Sequence, residues 1–330
     1  MSLLVTQRDR PLNKAGRRSS EHLDDLPRLT TTVPREYVHR ASLAEVFLTS
    51  CEKVGEGQFT LTGQWPRAHT FFTSPDGRQH DPLQVAETIR QLGPYLAHTE
   101  FDVPLGHPFI MGCMGWEVDP QQLTIGPTPS DLVLDVVCSA GPGTGGKSSK
   151  SRFEVKVDIW RGEHSIGTGF LNCTAVSPAV YRRLRGQTPA MPAVPSAEAR
   201  PPRLSPADVG RTHPNDVVLA PSDRPGRWLL ACNPQHPIMF DHWVDHIPGM
   251  VLLEAARQAA CALLEPQAAL MVPTQVTSEF QSFVEFGSPC WIEATPLPSP
   301  EPGTAGFLVT GEQNGREVFS AQVGSLLVGR

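Results

Sequence analysis

Glu254, Arg257 and Gln258 stand in a stretch, Met250–Leu264, that is otherwise apolar almost all round. A helix apolar on nearly every side is a buried one. The glutamate and arginine, three positions apart, share one of its faces. A charge pair in such a place is costly unless it is paired or used. Two readings stay open. The pair is a structural ion bridge tying the helix to a loop, or the carboxylate is a general acid or base beside an arginine that holds an anionic or carbonyl group. Burial would raise the carboxyl's pKa and the arginine would lower it. The preceding segment, HPIMFDHWVDHIPGM (236–250), carries His236, His242 and His246 with Asp241 and Asp245 between them. His242 and His246 at four-residue spacing would suit a metal on a helix. The Pro248-Gly249 turn and the aromatics make the segment a loop instead. With no third distant ligand, no metal is expected. One of these histidines faces Glu254, or they all serve only the backbone.

The same chemistry occurs twice. Glu87, Arg90 and Gln91 repeat Glu254, Arg257 and Gln258, and His69 repeats His236, all 167 positions apart. PRAHTFF (66–72) aligns with PQHPIMF (234–240), and AEVFL (44–48) with NDVVL (215–219) at the nearby offset of 171. One E-x-x-R-Q match would be chance, but several polar positions in one apolar frame at one offset indicate tandem duplication. His69 and His80 occupy the first copy's loop. Arg40, Arg67, Arg78, Arg90 and Arg257 lie in or near the repeated blocks. They are surface charge, or, if they converge between the copies, a phosphate site.

Each copy needs similar elements to position these residues. A strand-like lead (Ala44–Leu48; Val217–Ala220) precedes a short strand and a His-bearing loop (Leu61–Phe72; Trp228–Phe240), then one apolar helix (Leu83–Ala97; Met250–Leu264). Alternating strands follow at Leu132–Cys138, Phe153–Trp160 and Ser165–Cys173, and again at Val276–Phe286, Trp291–Thr295, Phe307–Glu312 and Glu317–Leu327. One buried helix followed by antiparallel strands is an α+β arrangement. A long helix wrapped by a curved antiparallel sheet is a hotdog fold, here expected as a tandem double hotdog.

Composition narrows the remaining classes. The chain has 330 residues, 33 of them proline, and a net charge of −6. Its mean hydropathy is −0.21. Two domains are expected, with no nucleic-acid partner and no membrane span. Residues 186–212 lie in a run with seven prolines between 186 and 214, which reads as a stiff linker. The expected division is a disordered tail at 1–30, one hotdog at 31–185, the linker at 186–212 and a second hotdog at 213–330. The N-terminus lacks an apolar secretory core and the seven cysteines are scattered without a CxxC pair, so a reducing cytoplasm is expected. GPGTGGKS (141–148) matches a P-loop pattern, but the alternating SRFEVKVDIW behind it is a strand where a P-loop needs a helix. Gly141–Lys150 is therefore expected to be a hairpin loop, with Lys147 merely solvated and no cofactor.

VHRASLAEVFLTS (38–50), QWPRAHTFF (64–72), HDPLQVAETIRQ (80–91), SPAVYRRLRG (177–186) and HPIMFDHWVDHIPGMVLLEAARQAA (236–260) resemble the A-factor-synthase (AfsA-type) hotdog family in wording and order. The likeness covers residues 37–330. More loosely, HIPGMVLLEA (246–255) resembles the helix entry of hotdog dehydratases acting on acyl thioesters. The resemblance implies an enzyme that joins a β-ketoacyl thioester to dihydroxyacetone phosphate. Ring closure with loss of water would give a phosphorylated butenolide, the precursor of γ-butyrolactone signals in actinomycetes. Closure to a furan carboxylate, or simple dehydratase or thioesterase action, are the alternatives. It also implies Glu87 and Glu254 as acid–base carboxylates with Arg90 and Arg257 as their partners. Arg67, His69, His80, Gln91, His236, His242, His246 and Gln258 are expected to bind substrate, with acyl carrier protein or coenzyme A as the thiol. The second copy looks closer to acyl-thioester enzymes. A monomer built as an internal pseudo-dimer, or a homodimer, is expected.

Overall fold

The computed structural model describes residues 29–141, 148–186, 201–264, 269–299 and 301–329. Thr32–Arg330 form one compact unit. The expected tail lies, but for residues 29 and 30, outside the described residues, as do 187–200 of the expected linker and Lys147 with its neighbours.

The first copy runs β1 (Leu48–Gly55), β2 (Gln58–Trp65), α1 (Pro82–Glu100), β3 (Phe109–Val118), β4 (Ser130–Ala140), β5 (Lys150–Arg161), β6 (His164–Val176) and α2 (Pro178–Arg185). The second runs β7 (Leu219–Pro221), β8 (Arg227–Leu230), α3 (Gly249–Leu263), β9 (Ala269–Phe280), β10 (Cys290–Leu297), β11 (Thr304–Gln313) and β12 (Arg316–Gly329). All twelve strands form one antiparallel sheet in the order β1-β2-β4-β5-β6-β3-β9-β12-β11-β10-β8-β7. The order reads the same from either edge once each strand is replaced by its duplicate. β3 and β9 are the seam, from Cys113 opposite Glu279 to Glu117 opposite Gln275.

Alternation explains the strands. In β4 the buried side chains are Ser130, Leu132, Leu134, Val136 and Cys138, every second residue. In β5 they are Ser151, Phe153, Val155, Val157 and Ile159. Both helices lie on this inner face, α1 against β3, β5 and β6, and α3 against β10, β11 and β12. Every residue of α3 from Met250 to Ala260 is buried, so the helix that looked apolar all round is covered all round. Among the described residues, no helix is long and apolar enough to cross a membrane.

Four details depart from the sequence reading. Ala44–Leu48 is not a strand: Leu43–Glu45 is one 3-10 turn capped by Ser42, and β1 starts at Leu48. β3 was not anticipated. β9 ends at Phe280, short of the expected Phe286. Residues 201–212 are integral to the second copy: Leu204 N–H donates to Leu219 O at 2.9 Å, and Val209 and Arg211 are buried. Gly141 N–H donates to Arg152 O at 2.9 Å and β4 pairs antiparallel with β5, while residues 142–147 of the expected hairpin loop lie outside the described residues.

Candidate active site

Glu87 is fully buried in α1. Its carboxylate accepts from Arg40 Nε at 2.9 Å, Arg90 Nε and Nη2 at 2.8 Å each, and Gln91 Nε2 at 2.8 Å. Glu254 in α3 accepts from Arg211 Nε at 2.8 Å and Nη2 at 2.7 Å, Arg257 Nε at 2.9 Å and Nη2 at 2.6 Å, and Gln258 Nε2. Burial pushes both carboxyls up, but the paired guanidiniums outweigh it and hold each at about 2. Both are therefore ionised at neutral pH. The two-guanidinium arrangement fits the structural ion bridge, one of the two readings of the sequence.

The rest of each cluster repeats atom for atom. Arg90 Nη2 donates to Val38 O at 3.0 Å as Arg257 Nη2 does to Val209 O. Gln91 joins Phe47 N and Glu45 O, as Gln258 joins Val218 N and Asp216 O. His69 Nδ1 accepts from Phe71 and Phe72 N–H while Nε2 meets Glu45 at 3.3 Å. His236 Nδ1 accepts from Ile238 and Met239 N–H while Nε2 meets Asp216 at 2.9 Å. Each free arginine edge then crosses to the other copy: Arg40 Nη1 donates to Ile238 O at 3.1 Å, and Arg211 Nη1 to Phe71 O at 2.8 Å. These hooks hold the two histidine loops in place.

A cavity of about 480 Å³ lies where the copies meet, between α1, the loop before α3, and β3, β6 and β9. Its walls are mostly apolar, with Phe109, Met111, Leu171 and Phe280 among them, and its polar groups include His39, Arg90, His242 and His246. Of the expected residues, Arg90, His242 and His246 reach it. Glu87 stands behind Arg90. Gln91, His69, His236 and Gln258 are spent on the hooks. His80 is buried between Gln84 and Ser130, with burial lowering it to about 4, so it is neutral. Arg67 donates to Gly126 O at the surface. Glu254 and Arg257 do not line the cavity.

The two copies differ at the cavity, and the differences are chemical. The α1 N-terminus is closed: Asp81 accepts from Leu83 N–H, Pro82 follows, and Asp81 also meets Arg211 at 3.0 Å. The α3 N-terminus has no side-chain cap and begins with Gly249 and Met250, both on the cavity wall. Their amides precede the first intrahelical bond and carry the helix's positive end. A Cβ on Gly249 would lie 2.2 Å from Met111 Cε, so the glycine keeps this end open. Three residues earlier, His246 donates Nδ1–H to Asp245 at 2.7 Å. Tyr181 Oη at 2.8 Å and Arg185 Nε at 3.1 Å, both on α2, hold the same carboxylate. That fixes the tautomer and leaves His246 Nε2 bare. Burial lowers His246 although Asp245 opposes it, so the ring is a neutral proton acceptor. Arg40, one of the arginines expected to converge between the copies, does line the cavity, whereas Arg211 and Gly249 are key residues that the site reading did not include. The aligned offset of 171, which pairs position 40 with 211, was the available signal.

A family model described as A-factor biosynthesis hotdog domain matches residues 22–177 and 193–328, both copies in turn. The chain belongs to the A-factor biosynthesis hotdog family. Within it, a Streptomyces virginiae protein named 2-oxo-3-(phosphooxy)propyl 3-oxoalkanoate synthase is 46% identical over 90% of this chain and 98% of its own. A Streptomyces griseus protein of the same name is 36% identical over 86% and 92%. Among solved structures, a trans-AT polyketide-synthase dehydratase domain from Brevibacillus brevis covers 86% of this A-factor-family chain and 98% of its own at 12% identity and a TM-score of 0.48.

Proposed function

We propose that the protein condenses a β-ketoacyl thioester with dihydroxyacetone phosphate to a 2-oxo-3-(phosphooxy)propyl 3-oxoalkanoate, which closes to a phosphorylated butenolide. The observation that carries this is the meeting, in one cavity, of an uncapped helix end, a guanidinium and an acyl-sized apolar chamber. The relatives' shared name fits a site of that composition.

The roles follow from chemistry. The Gly249 and Met250 amides polarise the thioester carbonyl and receive the oxyanion that forms when the triose hydroxyl attacks. The apolar wall around Met111, Leu171 and Phe280 takes the alkyl chain. Arg90 uses Nε and Nη2 on Glu87 and Val38, and its remaining edge is the phosphate hand. Glu87 and Glu254 keep their arginines aligned and charged rather than moving protons, so the site is single and composite. α1 supplies the arginine, and the loop and helix entry of the second copy supply the rest. His246, beside the amides that hold the carbonyl, faces the carbon between the two carbonyls and removes its proton in ring closure. The thiol carrier is an acyl carrier protein or coenzyme A, and the active particle is one chain acting as an internal pseudo-dimer. The test is incubation of the purified protein with β-ketoacyl thioesters of several lengths and dihydroxyacetone phosphate, read by mass spectrometry. The triose ester or its cyclised form is expected, and no triose-dependent product at any length would overturn the proposal.

A further inference from the structure

The duplication supplies an internal control at one backbone position. His39 ends the turn Arg35–Val38 with φ 53 and ψ 55. Gly210 ends the matching turn Pro206–Val209 with φ 64 and ψ 34. Their equivalence is fixed by their neighbours: Arg40 and Arg211 follow them, and the Val38 and Val209 carbonyls before them receive Arg90 and Arg257. This left-handed backbone is free for glycine and strained for histidine. In the second copy glycine is also favoured by space, since a Cβ there would lie 3.1 Å from Arg257 Nη1 and 3.2 Å from Cys261 Sγ. The first copy puts a strained histidine in the same place, and that histidine lines the cavity beside Arg90. Strain kept at a cavity wall points to use.

The hydrogen-bond chain sets the ring's tautomer. Val103 O can only accept, so His98 Nδ1 carries the proton of their 2.7 Å bond. Burial lowers His98, which is neutral, so its Nε2 is bare and accepts from His39 Nε2–H at 2.9 Å. The two rings meet edge to edge, centroids 5.2 Å apart and planes 24° from parallel, with Phe109 edge-on to His39 at 5.2 Å. His39 Nδ1 is left as an unprotonated acceptor. Burial first, then the fields of His98, Arg90 and His242, lower His39 to about 3. A phosphate dianion on Arg90 would cancel part of that field and make the ring more basic when substrate is bound.

We propose that His39 is a catalytic base for ester formation: its Nδ1 takes the proton of the triose hydroxyl as that oxygen attacks the thioester carbon. The O–H bond breaks and the C–O bond forms. When the C–S bond breaks, the same proton passes to the departing sulfur, so the ring ends as it began. His98 is a positioning residue that holds this tautomer. This rests on the reaction proposed above, with His39 acting at the triose end and His246 at the acyl end.

The test is His39→Gly, which installs the residue the other copy uses and so preserves the backbone. The expected result is a Tm equal to or above the native value and kcat for the ester at least 100-fold lower. KM for both substrates should stay within threefold, and added imidazole should restore kcat at least tenfold by occupying the vacated ring site. A kcat within threefold of native, or a loss that imidazole does not relieve, overturns the role of His39. Absence of triose-dependent product from the native enzyme overturns the reaction itself, and so is told apart.

Discussion

At the scale of single residues, Glu87 and Glu254 decide between holding the fold and moving protons. Each is fully buried and accepts from two guanidiniums and an amide. Removing the charge from such a cluster leaves buried cations uncompensated, which costs about 3–5 kcal/mol. Glu254→Gln is accordingly expected to lower stability by that order, seen in denaturant melts, while any folded fraction keeps most of its turnover. A large loss of kcat at unchanged stability would restore the carboxylate as a proton carrier. The pH dependence follows from the same shift. Both folded carboxyls sit at about 2, below the usual 4.5. Their stabilisation is therefore complete above pH 4.5 and is lost as pH falls from there towards 2. A shift of that size is worth about 3 kcal/mol per group. Melting temperature measured from pH 7 down to 3 should fall in the native protein and fall less in Glu87→Gln. His246 makes the complementary case: His246→Ala is expected to form the open ester near the native rate and to slow its closure, followed by time-resolved mass spectrometry. Closure at the native rate would remove His246 from the mechanism. The glutamates were legible in the sequence because they repeat. Their surroundings were not, because the second arginines come from positions 47 and 43 residues earlier.

At the scale of elements, the two helices share a sequence frame but end differently, and the proposed site rests on that difference. Asp81 closes α1, whereas Pro248-Gly249 leaves α3 open. Gly249→Ala should fold, because the nearest atom in its way is the far end of the flexible Met111, which can swing aside, and the Phe280 ring edge at 3.1 Å need give only a few tenths of an ångström. The displaced methyl then occupies the acyl chamber. KM for the thioester is expected to rise, and to rise more for longer acyl chains, in steady-state assays across a chain-length series. An equal effect at all lengths would mean that the chamber lies elsewhere. The strands were readable wherever one face alternated. β3 was not, since glycines at 112 and 115 argue against a strand. Its position explains them: a Cβ on Gly115 would lie 2.4 Å from Phe170 Cε1 and 2.7 Å from Val276 O. The residue that hides the strand from the sequence is what lets β9 approach it at the seam.

At the scale of the whole molecule, the mirrored sheet means that neither copy is finished alone. A separate first copy would expose β3 as an edge, and a separate second copy would expose β9. The bonds across the seam are made by residues on either side of 187–200. Ser278 Oγ donates to Met114 O at 2.7 Å, Arg211 reaches Phe71 and Asp81, and Asp241 accepts from Ala41 and Ser42. A protease site placed within 187–200 and cut after folding should therefore leave one particle holding both fragments in gel filtration. Activity should stay within about twofold, since the bonds described across the seam are left intact and only the covalent link that raises effective concentration is lost. The same fragments produced separately should aggregate or pair with themselves through the open edges, because each then lacks the loop its arginine hooks. A cut protein that falls apart would mean that the covalent link, and not the seam, holds the composite site together. Self-sufficient fragments with activity of their own would mean that each copy carries a complete site, against the asymmetry of the two helix ends.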